Sequence, residues 1–77
     1  RVNCIIPGAV LTPATKRAIP NDDLLEATKN AIPLKRIAEP IELARPILFL
    51  LSSDASFITA ASLVVDGGKT GDLNAGN

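Results

Sequence analysis

Val2-Asn3-Cys4-Ile5-Ile6-Pro7-Gly8 is a short apolar run closed by a turn pair, and its reading decides the fold. Periodicity alone does not separate such a run from a helix fragment, but Pro and Gly directly after it mark a strand, one suited to cover on both faces. Cys4 falls inside it with no adjacent base, so a buried, unreactive thiol is expected. A second β-branched run, Ser62-Leu63-Val64-Val65-Asp66, closes in the same way on Gly67-Gly68. Between them, Ile41, Ala44, Ile47/Leu48 and Leu51 recur at helical spacing behind Pro40, a residue favoured at the first helical position. Strand, long connection with a helix, strand is the grammar of a parallel βαβ unit, so the fold class is α/β. Two strands and a helix leave one sheet edge unpaired and one face bare, as at the end of a larger sheet.

The large helix is placed at residues 40–53 and the last strand, with its glycines, at 61–68. Leu43, Phe49 and Leu50 spread apolar character around the helix, which predicts protein on more than one side. Pro46 removes a backbone hydrogen bond inside it, so a kink is expected there. Residues 9–39 form the connection. Leu11 to Pro20, with Pro13 and Pro20, reads as a loop of about ten residues, a length often functional. Asn21 can cap a short helix whose first turn carries Asp22 and Asp23, with Leu24, Thr28, Ala31 and Leu25, Ile32 as a weak apolar stripe and Pro33 as its stop. Residues 69–77 are expected to be a flexible tail.

Composition narrows the chemistry. The 77 residues carry Lys+Arg 8 against Asp+Glu 8, so no electrostatic footprint for nucleic acid or anionic lipid exists. His, Tyr, Trp and Met are all absent, which removes the commonest general base and metal ligand and the phenolic acid of many oxidoreductases. One Cys makes neither an internal disulfide nor a zinc cluster and suits a reducing cytosol, so a cytoplasmic location is expected. No run approaches the ~18 apolar residues of a membrane span. The chain starts at Arg1 without Met, and we expect it to be part of a longer polypeptide.

Ligands of open α/β sheets sit beyond the carboxyl ends of the strands, which makes Pro7-Gly8-Ala9-Val10-Leu11-Thr12 the best candidate site. Gly8 permits close backbone approach, Pro7 fixes the turn, and Thr12 offers a hydroxyl. On spacing alone, a plain strand-ending turn with an incidental threonine is the commoner arrangement. Other patterns carry less. Gly68-Lys69-Thr70 imitates the end of a phosphate loop, but its first glycine would have to stand at Leu63. Asp22, Asp23 and Glu26 are read as acids of an ordinary helix start, with Asp22 and Asp23 in its first turn, rather than as metal ligands, and Lys35-Arg36 reads as a solvated surface pair.

Taken together, Arg1-Val2-Asn3-Cys4-Ile5-Ile6-Pro7-Gly8, Thr12, Pro33-Leu34-Lys35-Arg36, Glu39-Pro40, Leu48-Phe49-Leu50, Ser53-Asp54-Ala55-Ser56 and Leu63-Val64-Val65-Asp66-Gly67-Gly68 resemble the C-terminal part of short-chain dehydrogenases/reductases. The resemblance covers residues 1 to about 68. It implies the C-terminal βαβ portion of a doubly wound, Rossmann-like parallel sheet, in an enzyme that transfers hydride between NAD or NADP and an alcohol or carbonyl substrate. By that resemblance Pro7 and Gly8 match the turn against the nicotinamide ring. Val10 matches the residue whose backbone meets the carboxamide, and Thr12 matches the hydroxyl near the carboxamide or pyrophosphate. Residues from Leu11 to about Ile32 match the substrate loop and its helix. The final helix and strand match a subunit contact, implying a homo-oligomer, a dimer or tetramer. A non-catalytic assembly fragment is the alternative.

Two departures accompany the resemblance. Ala60-Ala61 stand where the family usually has Gly and a polar residue, which strains a tight turn, and Pro46 replaces a residue that continues the helix. The family's glycine-rich phosphate loop, catalytic serine and tyrosine-lysine pair fall outside this stretch. The 77 residues alone are therefore expected to be inactive, with no catalytic residue and no metal site.

Overall fold

A computed structural model describes residues 1–71. β1 (Cys4–Pro7) leads to α1 (Pro13–Ala18), α2 (Asp22–Asn30), α3 (Ile41–Leu51), a 3-10 turn at Ser53–Ala55 and β2 (Ser62–Val65). The strands pair in parallel, with Cys4 opposite Ser62 and Pro7 opposite Val65. Parallel neighbours need a long crossover rather than a tight turn, and residues 8–61 supply it with three helices.

The first segment of the crossover is not the loop expected from its prolines. Thr12, in extended backbone, caps α1 by accepting a hydrogen bond from the Thr15 N–H at 3.2 Å, and Pro13 occupies the first turn, where its missing N–H costs nothing. Lys16 and Arg17 complement the negative end of the helix. The second helix begins as expected: the Asn21 side chain accepts from Leu24 N–H at 2.8 Å, with Asp22 and Asp23 in the first turn.

α3 starts one residue after Pro40 and runs unbroken past Pro46. Ser52 ends it: its backbone turns extended, and its hydroxyl and N–H both donate to the Phe49 carbonyl, at 2.6 and 3.0 Å. Among the described residues only Ile32, Ile37, Leu50 and Ala55 are buried. Ile41, Ile47, Leu48, Phe49 and Leu51 of α3 are exposed, as is Phe57, so the expected cover on several sides of α3 does not come from the described residues.

The strands are also open, which corrects two expectations. β1 and β2 are mostly exposed rather than covered on both faces, and Cys4 is exposed rather than buried. A two-stranded sheet has no inner strand, and α3 packs on the 3-10 turn more than on the sheet.

Hydrogen bonds clasp the amino end of the strand pair. Asn3 donates to the Ile58 carbonyl at 3.1 Å and accepts from Ala61 N–H at 3.0 Å, while Ala60 N–H donates to the Val2 carbonyl at 2.7 Å. Ala60 holds φ +59°, the left-handed strain expected where glycine is absent. Of the tail expected at 69–77, residues 72–77 lie outside the described residues, and 69–71 form turns rather than a loose end. Asp66 ties them, accepting from Gly68 N–H at 2.9 Å and from Thr70 N–H and hydroxyl at 2.8 and 2.5 Å.

Candidate functional site

The site grows from the carboxyl end of β1. Gly8 N–H donates to the Val65 carbonyl at 3.1 Å and completes the ladder. A Cβ on Gly8 would stand 2.7 Å from Asp66 Cβ and 2.9 Å from Asp66 Cα. The requirement for glycine is therefore real, but the backbone that approaches Gly8 is the end of β2. Pro7 and Gly8 are both exposed at this edge.

Beyond the turn, the chain makes a parallel bridge between Val10 and Ala38. Leu11 N–H donates to the Ala38 carbonyl at 2.8 Å, and Ala38 N–H donates to the Ala9 carbonyl at 3.1 Å. A parallel bridge uses the groups of residues 9 and 11, so Val10's own N–H and C=O turn to the opposite side. Its carbonyl there accepts from Thr12 N–H at 2.9 Å. The hydroxyl of Thr12 is already engaged within the fold, since it caps α1 and lies 3.1 Å from the Thr15 hydroxyl. Pro7, Gly8, Val10 and Thr12 thus follow one another along a single edge. The capping role of Thr12 was not part of the expectation of a loop at residues 11–20.

Two clefts flank this edge and share Leu11 and Leu25. One, of about 310 Å³, is lined also by Lys29, Arg36, Ile37 and Glu39. The other, of about 220 Å³, adds Thr15, Lys16 and Ile19. A third cavity of about 130 Å³ lies between the strand ends and the start of α3, with Ala9, Arg36, Glu42 and Asp66 in its wall. Among the described residues no group of three or more His, Cys, Asp or Glu is placed to hold a metal ion.

Arg36 and Glu42 are the polar feature that sequence reasoning missed. The Arg36 guanidinium donates to both carboxylate oxygens of Glu42, at 2.6 and 2.7 Å, and Glu39 N–H donates to the same carboxylate at 3.0 Å. The bond from Arg36, then that from the Glu39 backbone, lower the Glu42 carboxyl to about 2, and the same pairing raises Arg36. Only the backbone bond had a signal in the sequence: Glu42 stands three residues after Glu39, the spacing at which a first-turn acid reaches back to a helix-starting N–H. Asp66 is also held low, first by the Thr70 hydroxyl and then by the Thr70 and Gly68 N–H groups. Thr70 is thereby engaged within the turn, against any phosphate role for Gly68-Lys69-Thr70.

A family model described as Enoyl-(Acyl carrier protein) reductase matches residues 1–70. The 2,5-dichloro-2,5-cyclohexadiene-1,4-diol dehydrogenase of Sphingobium indicum is 49% identical over 71 residues, covering 91% of this chain and 28% of that protein. Among solved structures, a short chain dehydrogenase family protein from Francisella tularensis superposes with a TM-score of 0.88 at 33% identity, over 94% of this chain and 34% of that one. A 4-hydroxyisoleucine dehydrogenase mutant complexed with NADH and succinate superposes with a TM-score of 0.87 at 35% identity, over 96% and 30%. The chain spans about a third or less of each of these proteins.

Proposed function

This chain belongs to the short-chain dehydrogenase/reductase family, whose Rossmann-like α/β fold it shares, and from that membership we propose that it forms the C-terminal part of an NAD(P)-dependent oxidoreductase. The reaction is hydride transfer between the nicotinamide and an alcohol or carbonyl carbon of a small substrate. The observation that supports the reading is that Val10's backbone N–H faces away from Ala38, directly after the Pro7–Gly8 turn at a strand's carboxyl end.

The residues present fit a nicotinamide carboxamide. Val10 offers an N–H donor for its oxygen, and the exposed Pro7–Gly8 turn leaves room for a flat ring against the strand end. When bound, the ring supplies or accepts the hydride. The chain's own part is positioning: Pro7 and Gly8 set the turn, Val10 fixes the carboxamide, and Thr12 holds the start of α1 beside it. α1 and α2 then form the wall of a substrate cleft with Leu11, Ile19 and Leu25. Serine, tyrosine and lysine groups of catalysis are supplied from outside this stretch, so the 77 residues alone are inactive.

Thr12 provides the test. In the full-length enzyme Thr12→Val is expected to weaken cofactor affinity and to cost about 1 kcal/mol of stability through loss of the cap. Thr12→Ser keeps both. Cofactor titration and thermal melting of the two variants check this, and unchanged affinity in Thr12→Val would remove Thr12 from the site.

A second reading, assembly, is favoured by one observation: Leu48, Leu51 and Phe57 are 64%, 74% and 101% exposed along one stretch of chain. In this reading, α3 and β2 meet the same elements of another copy. Sedimentation of the full-length enzyme carrying Leu48→Asp is expected to give a smaller species than wild type, and an unchanged one sinks this reading.

A further inference from the structure

The Glu42 carboxylate gathers three N–H donors, two from Arg36 and one from the Glu39 backbone. These donors stand on either side of Ile37 and Ala38, so the short segment between them is held at both ends. Ile37 is buried at 8% exposure, which fixes the middle of the segment. Ala38 exchanges hydrogen bonds with residues 9 and 11 and thereby sets which way Val10 faces. Each link from Glu42 to Val10 is a hydrogen bond or a covalent step.

We propose that Arg36 and Glu42 are positioning residues for the nicotinamide end of the cofactor, acting on Val10 through Ala38. The inference rests on the assignment of Val10 to the carboxamide made above. An exposed ion pair ordinarily contributes little to stability, but a bidentate fork fixes geometry, and small displacements of a positioning group are costly where a ring must be held to a fraction of an ångström. The adenosine half of the dinucleotide has no contact with this edge in the proposed arrangement, so the effect is confined to the nicotinamide half.

That selectivity separates positioning from plain stabilisation. In the full-length enzyme, Glu42→Gln and Arg36→Met are compared with wild type by titration calorimetry. The ligands are the dinucleotide that the wild type binds, NADH or NADPH, and the matching fragment without nicotinamide, ADP-ribose or its 2′-phosphate. Glu42→Gln weakens the fork but keeps an oxygen for Glu39 N–H, and Arg36→Met keeps the apolar stem. Both are expected to weaken the dinucleotide about tenfold while the fragment stays within about twofold of wild type. Equal weakening of dinucleotide and fragment, no weakening of either, or loss of the fold in both variants overturns the proposal. If only one variant fails to fold, the other decides. A wild-type enzyme that binds neither ligand overturns the oxidoreductase assignment itself, an outcome distinct from failure of the positioning role.

Discussion

The two ends of the β1–β2 pair are built by opposite means. At the amino end the close fit is made by polar side chains and a strained alanine: Asn3 bridges to Ile58 and Ala61, Thr59 accepts from Val2 N–H at 3.1 Å, and Ala60 sits at positive φ. At the carboxyl end it is made by missing side chains. Gly8 lies against Asp66, Gly67 at φ +66° would bring a Cβ within 2.8 Å of Ile32, and Gly68 at φ +93° packs on Pro33. One end is sealed by hydrogen bonds, while the other brings backbones together and leaves clefts beside them. The difference agrees with the proposal that a ligand meets the carboxyl end. Groups already paired across the amino end have nothing to offer, whereas at the carboxyl end Val10 N–H faces away from its bridge partner Ala38.

Substitution at each end tests that contrast. The largest effect is expected from Gly8→Ala, because the atoms its methyl meets at 2.7 and 2.9 Å are Cβ and backbone rather than a flexible tip. A loss of roughly 2–3 kcal/mol is expected in urea unfolding. A shift under about 0.5 kcal/mol would show that the strand ends part easily and that the contrast is overstated. At the other end Ala60→Gly should act in the opposite sense. Relief of left-handed strain outweighs the extra freedom of the unfolded chain, for a net gain of about 0.5 kcal/mol read as a higher Tm. A lower Tm would mean that the Ala60 side chain contributes packing that its backbone strain conceals.

The smallest effect concerns pH. Glu42 is depressed in the folded chain from 4.5 to about 2, so its contribution is present above pH 4.5 and lost as pH falls toward 2. Glu42→Gln removes that contribution. Its Tm deficit relative to wild type should be greatest near neutrality and should shrink between pH 4.5 and 2, staying small throughout because the pair is exposed to solvent. A deficit independent of pH in that window would detach the ion pair from stability. The same variant is expected to show its larger consequence in cofactor affinity if the proposed positioning role holds, so the two measurements distinguish a stabilising pair from a positioning one.

Much of the fold was legible in local chemistry. Pro7-Gly8 and Gly67-Gly68 closed two strands where the sequence reading placed them, and Asn21 with Asp22 and Asp23 began α2 as expected. The misreading of residues 11–20 came from giving two prolines more weight than a cap. Thr12-Pro13 is also a helix-start signature, since proline is well tolerated in the first turn. The candidate site is a proposal, and its geometry was legible only in part. Pro7, Gly8, Val10 and Thr12 do share an edge, but neither the Val10–Ala38 bridge nor the Arg36–Glu42 fork was visible in spacing. The bridge joins positions 28 residues apart in the numbering, and such pairings have no local signal.

What the amino-acid order determined by itself was the set of elements and their order, because capping, proline geometry and apolar runs act within a few residues. The parallel register of β1 and β2 and the facing of Val10 were decided only in three dimensions. Each depends on which backbone happens to lie alongside, and that is set by the whole crossover rather than by any stretch within it.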